Sequence, residues 1–536
     1  MSRINTAIAD PITETAGVAT DRPAVFDDRA LLGHPRGLGL LFITEMWERF
    51  SYYGMRAILV LYLVNALKWD TAHAASLYGT YTMLVFLTPV IGGYLADRFI
   101  GTRRSLVIGG IVISAGHFVL ALPGMSAFYT GLALIIVGTG FFKSNVSTMV
   151  GQIYREGDAR RDSGFTIFYM GINTGAFLGP LVCGGLAQSS RFGWHWGFAA
   201  AGVGMVLGLI GYLWGRDKYL PGIGVGTKTG PRGGNGTAAV SAAPAPGDAA
   251  AAAGANPVVH GSIGAVGGAI VGWLLGSGNY LGILMGLVIG AAVGITVLGS
   301  RGEERRRVIA LFIVVFFVIF FWAAYEQAGS SMNLFADKNT DLHVGGRLIP
   351  SSWFQSVNPA VILLFAPTFA WMWGALGRAE REPSTALKMA LGLFLLGAGF
   401  VFMMIGGRRA DAGVLVSPFW LVAAYTLHTW GELCLSPVGL SYVTKVAPWR
   451  FASLLMGVWF LANAAANKIA GAVAAFTPTP GEAPAAPATG LAGYIQSVSA
   501  TNFGFYSIFV VSSLAAGVIM LLCVPLLKRL TASVKA

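Results

Sequence analysis

Leu38-Gly-Leu-Leu-Phe-Ile-Thr-Glu-Met-Trp-Glu-Arg-Phe-Ser-Tyr-Tyr-Gly-Met-Arg-Ala-Ile-Leu-Val-Leu-Tyr-Leu-Val64 is one long apolar run broken by four charges. Its length matches a bilayer crossing, because a hydrocarbon core about 30 Å thick needs roughly 20 apolar residues in helical form. Runs of this size recur along the chain, starting near Leu38, Ser76, Arg104, Ala127, Asp162 and Trp194, and again near Val308, Ser351, Thr385, Val414, Phe451 and Asn502. Lipid cannot hydrogen-bond an open backbone, so each run is a helix or a barrel strand, and runs this long and continuous are helices. The composition agrees: 55% of residues are hydrophobic, 11% are charged and the mean hydropathy is +0.66, which excludes an ordinary water-soluble domain. The expected fold class is an all-α membrane protein.

The chain divides accordingly. Residues 1–37 carry acids and prolines without an apolar core and read as a soluble N-terminal tail, not a cleaved signal. Residues 38–215 form a first six-helix bundle, 305–530 a second, and 531–536 a C-terminal tail. Between the bundles, 216–304 begins with a flexible Gly/Ala/Pro-rich linker and continues into two apolar stretches. Gly264, Gly268, Gly272 and Gly276 on the first, and Gly282, Gly286, Gly290 and Gly294 on the second, recur every four residues. Each stretch therefore presents a smooth face for close helix contact in lipid, and a two-helix insert peripheral to function is expected. The expected total is fourteen transmembrane helices.

Basic residues set the orientation. Most Lys and Arg fall in the tails and in loops on the same side, while Lys68, Arg191, Lys338, Arg347, Arg408 and Arg409 fall on the other. By the positive-inside rule both termini are cytoplasmic, in a cell inner membrane. An odd number of helices in the insert would place Arg378, Arg381, Lys445 and Arg450 outside. The formal charge of +12 is thus a topological signal and implies no nucleic-acid partner. Cys183, Cys434 and Cys523 lie within apolar windows and give no disulfide framework.

Eight ionisable residues lie inside the expected spans: Glu45, Glu48, Arg49, Arg56, Lys143, Glu326, Glu432 and Lys468. Each costs about 2.5–3.5 kcal/mol at a helix centre, so a shared polar cavity is expected to collect them. Glu45, Glu48, Arg49 and Arg56 share one helical stripe, with Tyr52 on it and Tyr53 beside it. A carboxylate beside Arg has its proton affinity set by two opposed effects, desolvation and the neighbouring cation, so small changes in access move a proton. Lys468, near the outer end of its span, is expected to snorkel to the interface. His117 and His428 have no partner at ligand spacing and read as structural, and no metal site is expected. No nucleophile–base arrangement suggests an enzyme.

The stripe Glu45-Met-Trp-Glu-Arg-Phe-Ser-Tyr-Tyr-Gly-Met-Arg56 resembles the ExxERFxYY signature of the proton-dependent oligopeptide transporter family of the major facilitator superfamily. Gly92-Gly-Tyr-Leu-Ala-Asp-Arg98, followed by Gly101-Thr-Arg-Arg104, resembles the superfamily's loop between helices two and three. Phe168-Tyr-Met-Gly-Ile-Asn173, Phe142-Lys-Ser-Asn145, Glu326-Gln327, Gln355-Ser-Val-Asn358 and Glu432-Leu-Cys-Leu-Ser-Pro437 resemble further family patterns. A two-helix insert is usual in bacterial members.

The resemblance implies a major facilitator fold and a symporter that imports di- and tripeptides with protons by alternating access through a central cavity. It needs no cofactor beyond the coupling proton and no obligate protein partner. It further implies that Glu45, Glu48, Arg49 and Glu326 handle the proton, with Lys143 pairing alternately with Glu326 or substrate. Arg56 and Lys143 would meet the peptide carboxylate, and Glu432 with Asn173 and Asn358 its amino terminus. Tyr52, Tyr53, Trp322, Ser436 and Trp459 would line side-chain pockets. Phe86 stands where many bacterial members have Tyr, which removes a hydroxyl from the expected cavity.

Overall fold

The computed structural model describes residues 24–155, 157–225, 256–275, 280–479 and 490–532. Six long helices precede the insert: α1 (Arg36–Leu61), α2 (Thr71–Leu95), α3 (Thr102–Leu120), α4 (Met125–Gln152), α5 (Arg160–Gly179) and α6 (Trp194–Tyr219). The insert holds α7 (Pro257–Leu275) and α8 (Tyr280–Val293). Then follow α9 (Gly302–Tyr325), the short α10 (Ser331–Asn339), α11 (Val357–Arg378), α12 (Thr385–Asp411), α13 (Phe419–Val446), α14 (Ala452–Ala474), the short α15 (Gly490–Val498) and α16 (Asn502–Leu530).

Among the described residues, nine helices are long and apolar enough to cross a membrane by length and composition, and Pro257–Trp273 and Gly282–Leu298 are shorter apolar helices. The first span is not among the nine, because its apolar run is interrupted by Glu45, Glu48, Arg49 and Arg56. The all-α expectation therefore holds, with six long helices on each side of the insert. The described boundaries run slightly past the expected ones: α1 begins at Arg36, α6 reaches Tyr219 and α9 begins at Gly302. The helix α15 was not anticipated. Most of the linker lies outside the described residues.

Small residues let the helices approach until backbone meets backbone. A methyl on Gly54 of α1 would come within 2.5 Å of Cys183 Sγ and 3.1 Å of the Gly179 carbonyl. The opposite flank of α1 packs Trp47 and Phe50 against Gly204 and Gly208 of α6. Held between α5 and α6, α1 turns its charged stripe away from both. In the insert, Gly264, Gly268 and Gly272 interleave with Gly282, Gly286, Gly290 and Gly294, so the expected glycine faces do meet. Gly276 lies outside the described residues.

The helix that starts at Gly302 does not continue straight to Asn339. It tightens to a 3-10 turn at Glu326–Gly329 and breaks at Ser330, with φ −125 and ψ −92, before α10 resumes. Such broken helices are tolerated at membrane depth where protein or a wet cavity satisfies the freed backbone. Here the break delivers Glu326 toward the other bundle.

The two bundles touch at the end opposite the tails. Gly79 of α2 lies against Gly471 of α14, Asn333 Nδ2 donates to the Ala57 carbonyl at 2.8 Å, and Trp353 Nε1 donates to the Leu181 carbonyl at 3.0 Å. Lys468 Nζ donates to Thr80 Oγ1 at 2.7 Å, so this side chain crosses to α2 instead of snorkelling. A hydroxyl from the facing helix offers a nearer partner than the membrane surface.

Candidate functional site

The first-helix stripe is buried as a unit: Glu45, Glu48, Arg49, Tyr52 and Arg56 all point inward. Arg49 Nε stands 3.2 Å from Glu45 Oε1 and also donates to Glu48 Oε2, so one guanidinium serves two carboxylates. Its charge lies 5.3 Å from the Tyr52 ring centre. Glu45 Oε2, Arg49 Nη2 and the Tyr52 hydroxyl have no protein partner, which leaves them available to water or a ligand.

One helical turn beyond Tyr52, Arg56 reaches across the bundle boundary. Its Nη2 pairs with Glu326 Oε2 at the break after α9, and its Nε donates to the Tyr78 hydroxyl at 2.5 Å. The rings of Tyr53 and Tyr78 each lie 5.8 Å from the same guanidinium. Lys143 was expected to pair alternately with Glu326 or with substrate; in this conformation Glu326 is held by Arg56. Among the described residues no carboxylate lies within ion-pair distance of Lys143, whose ammonium sits 4.2 Å above the centre of the Phe86 ring. Phe86 thus gives Lys143 a cation–π contact.

A second polar cluster belongs to the other bundle. The Tyr325 hydroxyl donates to Glu432 Oε2 at 2.6 Å, and Asn358 Nδ2 donates to the same oxygen at 3.0 Å and to Thr429 Oγ1 at 3.0 Å. Tyr325 ends α9 and Glu326 opens the 3-10 turn that follows, so two adjacent residues supply one side chain to each cluster. Tyr53 of α1 and Tyr169 of α5 lie within electrostatic range of Glu432, and Glu326 acts on both Glu432 and Lys143. The two clusters are therefore electrostatic neighbours across the bundle boundary, with Arg56 and Glu326 in one and Glu432 in the other.

Not every expected residue joins them. Asn173 turns its amide to the Tyr169 carbonyl of its own helix at 2.9 Å and makes no hydrogen bond to Glu432. An amide four residues along a helix satisfies the preceding turn when no nearer acceptor competes. Trp322 stacks edge-on against Tyr325, with ring centres 5.1 Å apart, at the margin of the Glu432 cluster. Trp459 is buried in the core of the second bundle with its indole against Gly439. The Ser436 side chain lies outside the described residues. His117 and His428 are buried with neither ring nitrogen hydrogen-bonded, consistent with packing. Among the described residues no three His, Cys, Asp or Glu side chains could hold a metal ion.

Tyr78, Tyr325 and Thr429 were missed from the sequence, where they look like ordinary members of apolar helices. The available signal was adjacency: Tyr325 abuts Glu326, and Thr429 precedes Glu432 by three residues, on the same helical face.

Chemically, the two clusters offer cations and acids at neighbouring positions, with the Tyr78 and Tyr325 hydroxyls among them. That arrangement suits a small zwitterion and a mobile proton.

Comparison with known proteins gives concordant results. The sequence profile of the POT family matches residues 103–240 and 270–490. An uncharacterized transporter of Bacillus subtilis (strain 168), YclF, is 40% identical over 94% of this chain and 96% of its own length. A di-/tripeptide transporter of Lactococcus lactis subsp. cremoris is 36% identical over 82% of this chain and 89% of its own. The crystal structure of a mutant peptide transporter POT in complex with alafosfalin superimposes with a TM-score of 0.76 and 38% identity, covering 96% of this chain and 98% of that one.

Proposed function

The chain belongs to the POT family, and from that premise we propose that it imports di- and tripeptides together with protons through the chamber between its bundles. The observation that carries this reading is the buried Arg56–Glu326 pair across the bundle boundary, facing the Glu432 cluster. A peptide carboxylate competes with Glu326 for Arg56, and a peptide ammonium finds Glu432. Contacts limited to the two termini tolerate varied side chains. The Glu45–Arg49–Glu48 group on the same helix supplies carboxylates that exchange a proton as access changes.

Lys143 stands beside this route as a second cation for the substrate carboxylate. The basic-residue bias supports cytoplasmic termini in a bacterial inner membrane, so the closed end of the chamber faces outward. Protons serve as the coupling ion, and neither a further cofactor nor an obligate protein partner is required.

The test is uptake of labelled dialanine into proteoliposomes under an inward proton gradient. Accumulation above the external concentration that collapses with a protonophore is expected. Uptake of nitrate without dipeptide would assign the chamber to another solute, and dipeptide binding without flux would make the protein a sensor.

A further inference from the structure

Far from the charged chamber, a separate set of neutral and acidic side chains ties the bundles together at the end opposite the tails. Asn65 lies in the turn Tyr62–Ala66 after α1, and Gln188 just after the last turn that extends α5, Gly185–Ala187. Facing them from the second bundle are Asp337 of α10 and Ser351 and Ser352, which open the 3-10 turn Ser351–Ser356 before α11.

Asn65 Nδ2 donates to Asp337 Oδ2 at 2.7 Å, and Ser351 Oγ donates to Asp337 Oδ1 at 2.7 Å. Gln188 Nε2 donates to Ser351 Oγ at 2.8 Å and, more weakly, to Asp337 Oδ1 at 3.4 Å. Gln188 Oε1 accepts from both the backbone N–H and the hydroxyl of Ser352, at 3.0 and 2.7 Å. Gly184 permits this approach, since a side chain there would collide with the Ser352 hydroxyl.

We propose that Gln188 and Asp337 form the latch that keeps the chamber shut on this side, and that its release limits how often the chamber opens there. Gln188 uses both ends of its amide across the boundary, and Asp337 uses both carboxylate oxygens, so the two side chains collect the bonds that must break together when the bundles part. Every member is neutral or acidic; Asn65, Gln188 and Asp337 are half-buried, and Ser351 and Ser352 are buried behind them. Their groups exchange protein partners for water at little net cost, which suits a joint that opens once per cycle. A buried ion pair such as Arg56–Glu326 is a different device, because separating it strands charges in a dry site.

The proposal rests on reading the chain as an alternating-access transporter, so its test measures opening directly. Ser190 and Arg347 are exposed on opposite sides of the joint. Spin labels on Ser190→Cys and Arg347→Cys, in a Cys523→Ser background, report the distance between bundles in proteoliposomes. Gln188→Ala is expected to raise the ratio of long to short distances about fivefold, the effect of roughly one net hydrogen bond. Gln188→Glu is expected to raise it further by placing a second carboxylate beside Asp337. Ser352→Ala removes one hydroxyl and leaves the backbone bond, so it shifts the ratio in the same direction by less, and it serves if Gln188 variants do not fold. Distance distributions indistinguishable from the parent in the folded variants overturn the latch. Failure of the parent protein to carry dipeptide, with the distances still shifting, overturns the peptide assignment and leaves the latch standing.

Discussion

Arg56 and Glu326 are 270 positions apart in the chain and form one buried ion pair, the guanidinium projecting from α1 and the carboxylate from the break after α9. The pair fastens one bundle to the other, and in the proposed function it also occupies the site that a substrate carboxylate takes. Under that proposal an entering carboxylate displaces Glu326, and a proton on Glu326 weakens the fastening. Binding and opening are thereby linked through one guanidinium.

Glu326→Gln separates the two roles. The variant removes the competing charge and leaves Arg56 in need of a partner, a situation that costs about 3–5 kcal/mol in a buried site. A peptide carboxylate that takes over recovers about 1.5–3 kcal/mol, roughly 10- to 100-fold in affinity. Dipeptide affinity is therefore expected to hold or rise, while proton-driven accumulation collapses and gradient-free exchange persists. Equilibrium binding and counterflow measured on the same preparation check this, and loss of affinity would show that Arg56 does not receive the carboxylate.

Glu48→Gln tests the proton carrier on the first helix. Arg49 keeps Glu45 at 3.2 Å when the Glu48 charge is removed, so the stripe retains a paired guanidinium and the fold is expected to survive. Accumulation driven by a proton gradient is expected to fall far more than exchange without one. Equal loss of both in the two assays would assign Glu48 to binding or folding.

Tyr325→Phe addresses the opposite wall. The hydroxyl donates to Glu432 at 2.6 Å, and without it the carboxylate keeps Asn358 Nδ2 at 3.0 Å. Losing one hydrogen bond to a charged group costs about 1.5–3 kcal/mol, so the KM for dipeptide is expected to change by roughly 10-fold or more. The change is expected to be confined to peptides with a free amino terminus. An equal change for N-acetylated dipeptide would place the amino terminus elsewhere.

How much of this was legible follows from where the information lies. Glu45, Glu48, Arg49, Tyr52 and Arg56 share one helix, so the 3.6-residue period alone brings them to one face, and the structure keeps them there. The pairing of Arg56 with Glu326 depends on how two bundles dock and on a helix break at Ser330, neither of which a periodicity records. The resemblance implied that Lys143 alternates between Glu326 and substrate, and in this conformation its ammonium sits over the Phe86 ring of α2, a contact that no sequence pattern records. Tyr78 and Tyr325 escaped because an aromatic in an apolar helix is ordinarily packing, and only the spatial neighbour reveals the hydroxyl's role. Gln188, Ser351 and Ser352 sit near helix ends, where polar residues need no special explanation.

The insert is the part whose packing the sequence predicted most directly, because a four-residue glycine repeat places every small residue on one face. In the structure Gly268 lies against the Gly286 carbonyl and the Gly290 Cα, so no side chain fits between α7 and α8 at that level. Gly268→Leu is therefore expected to push the two helices apart, at a cost of about 1–3 kcal/mol for an overfilled contact. The glycine face supplies helix-to-helix contact and no charged or hydrogen-bonding side chain, so its loss should leave the chamber untouched. Cysteine pairs across the hairpin are expected to lose cross-linking in this variant, while dialanine uptake per folded molecule stays near the parent value. If uptake falls in step with cross-linking, the hairpin acts on the bundles it separates, and its contact with α14 becomes part of the transport cycle.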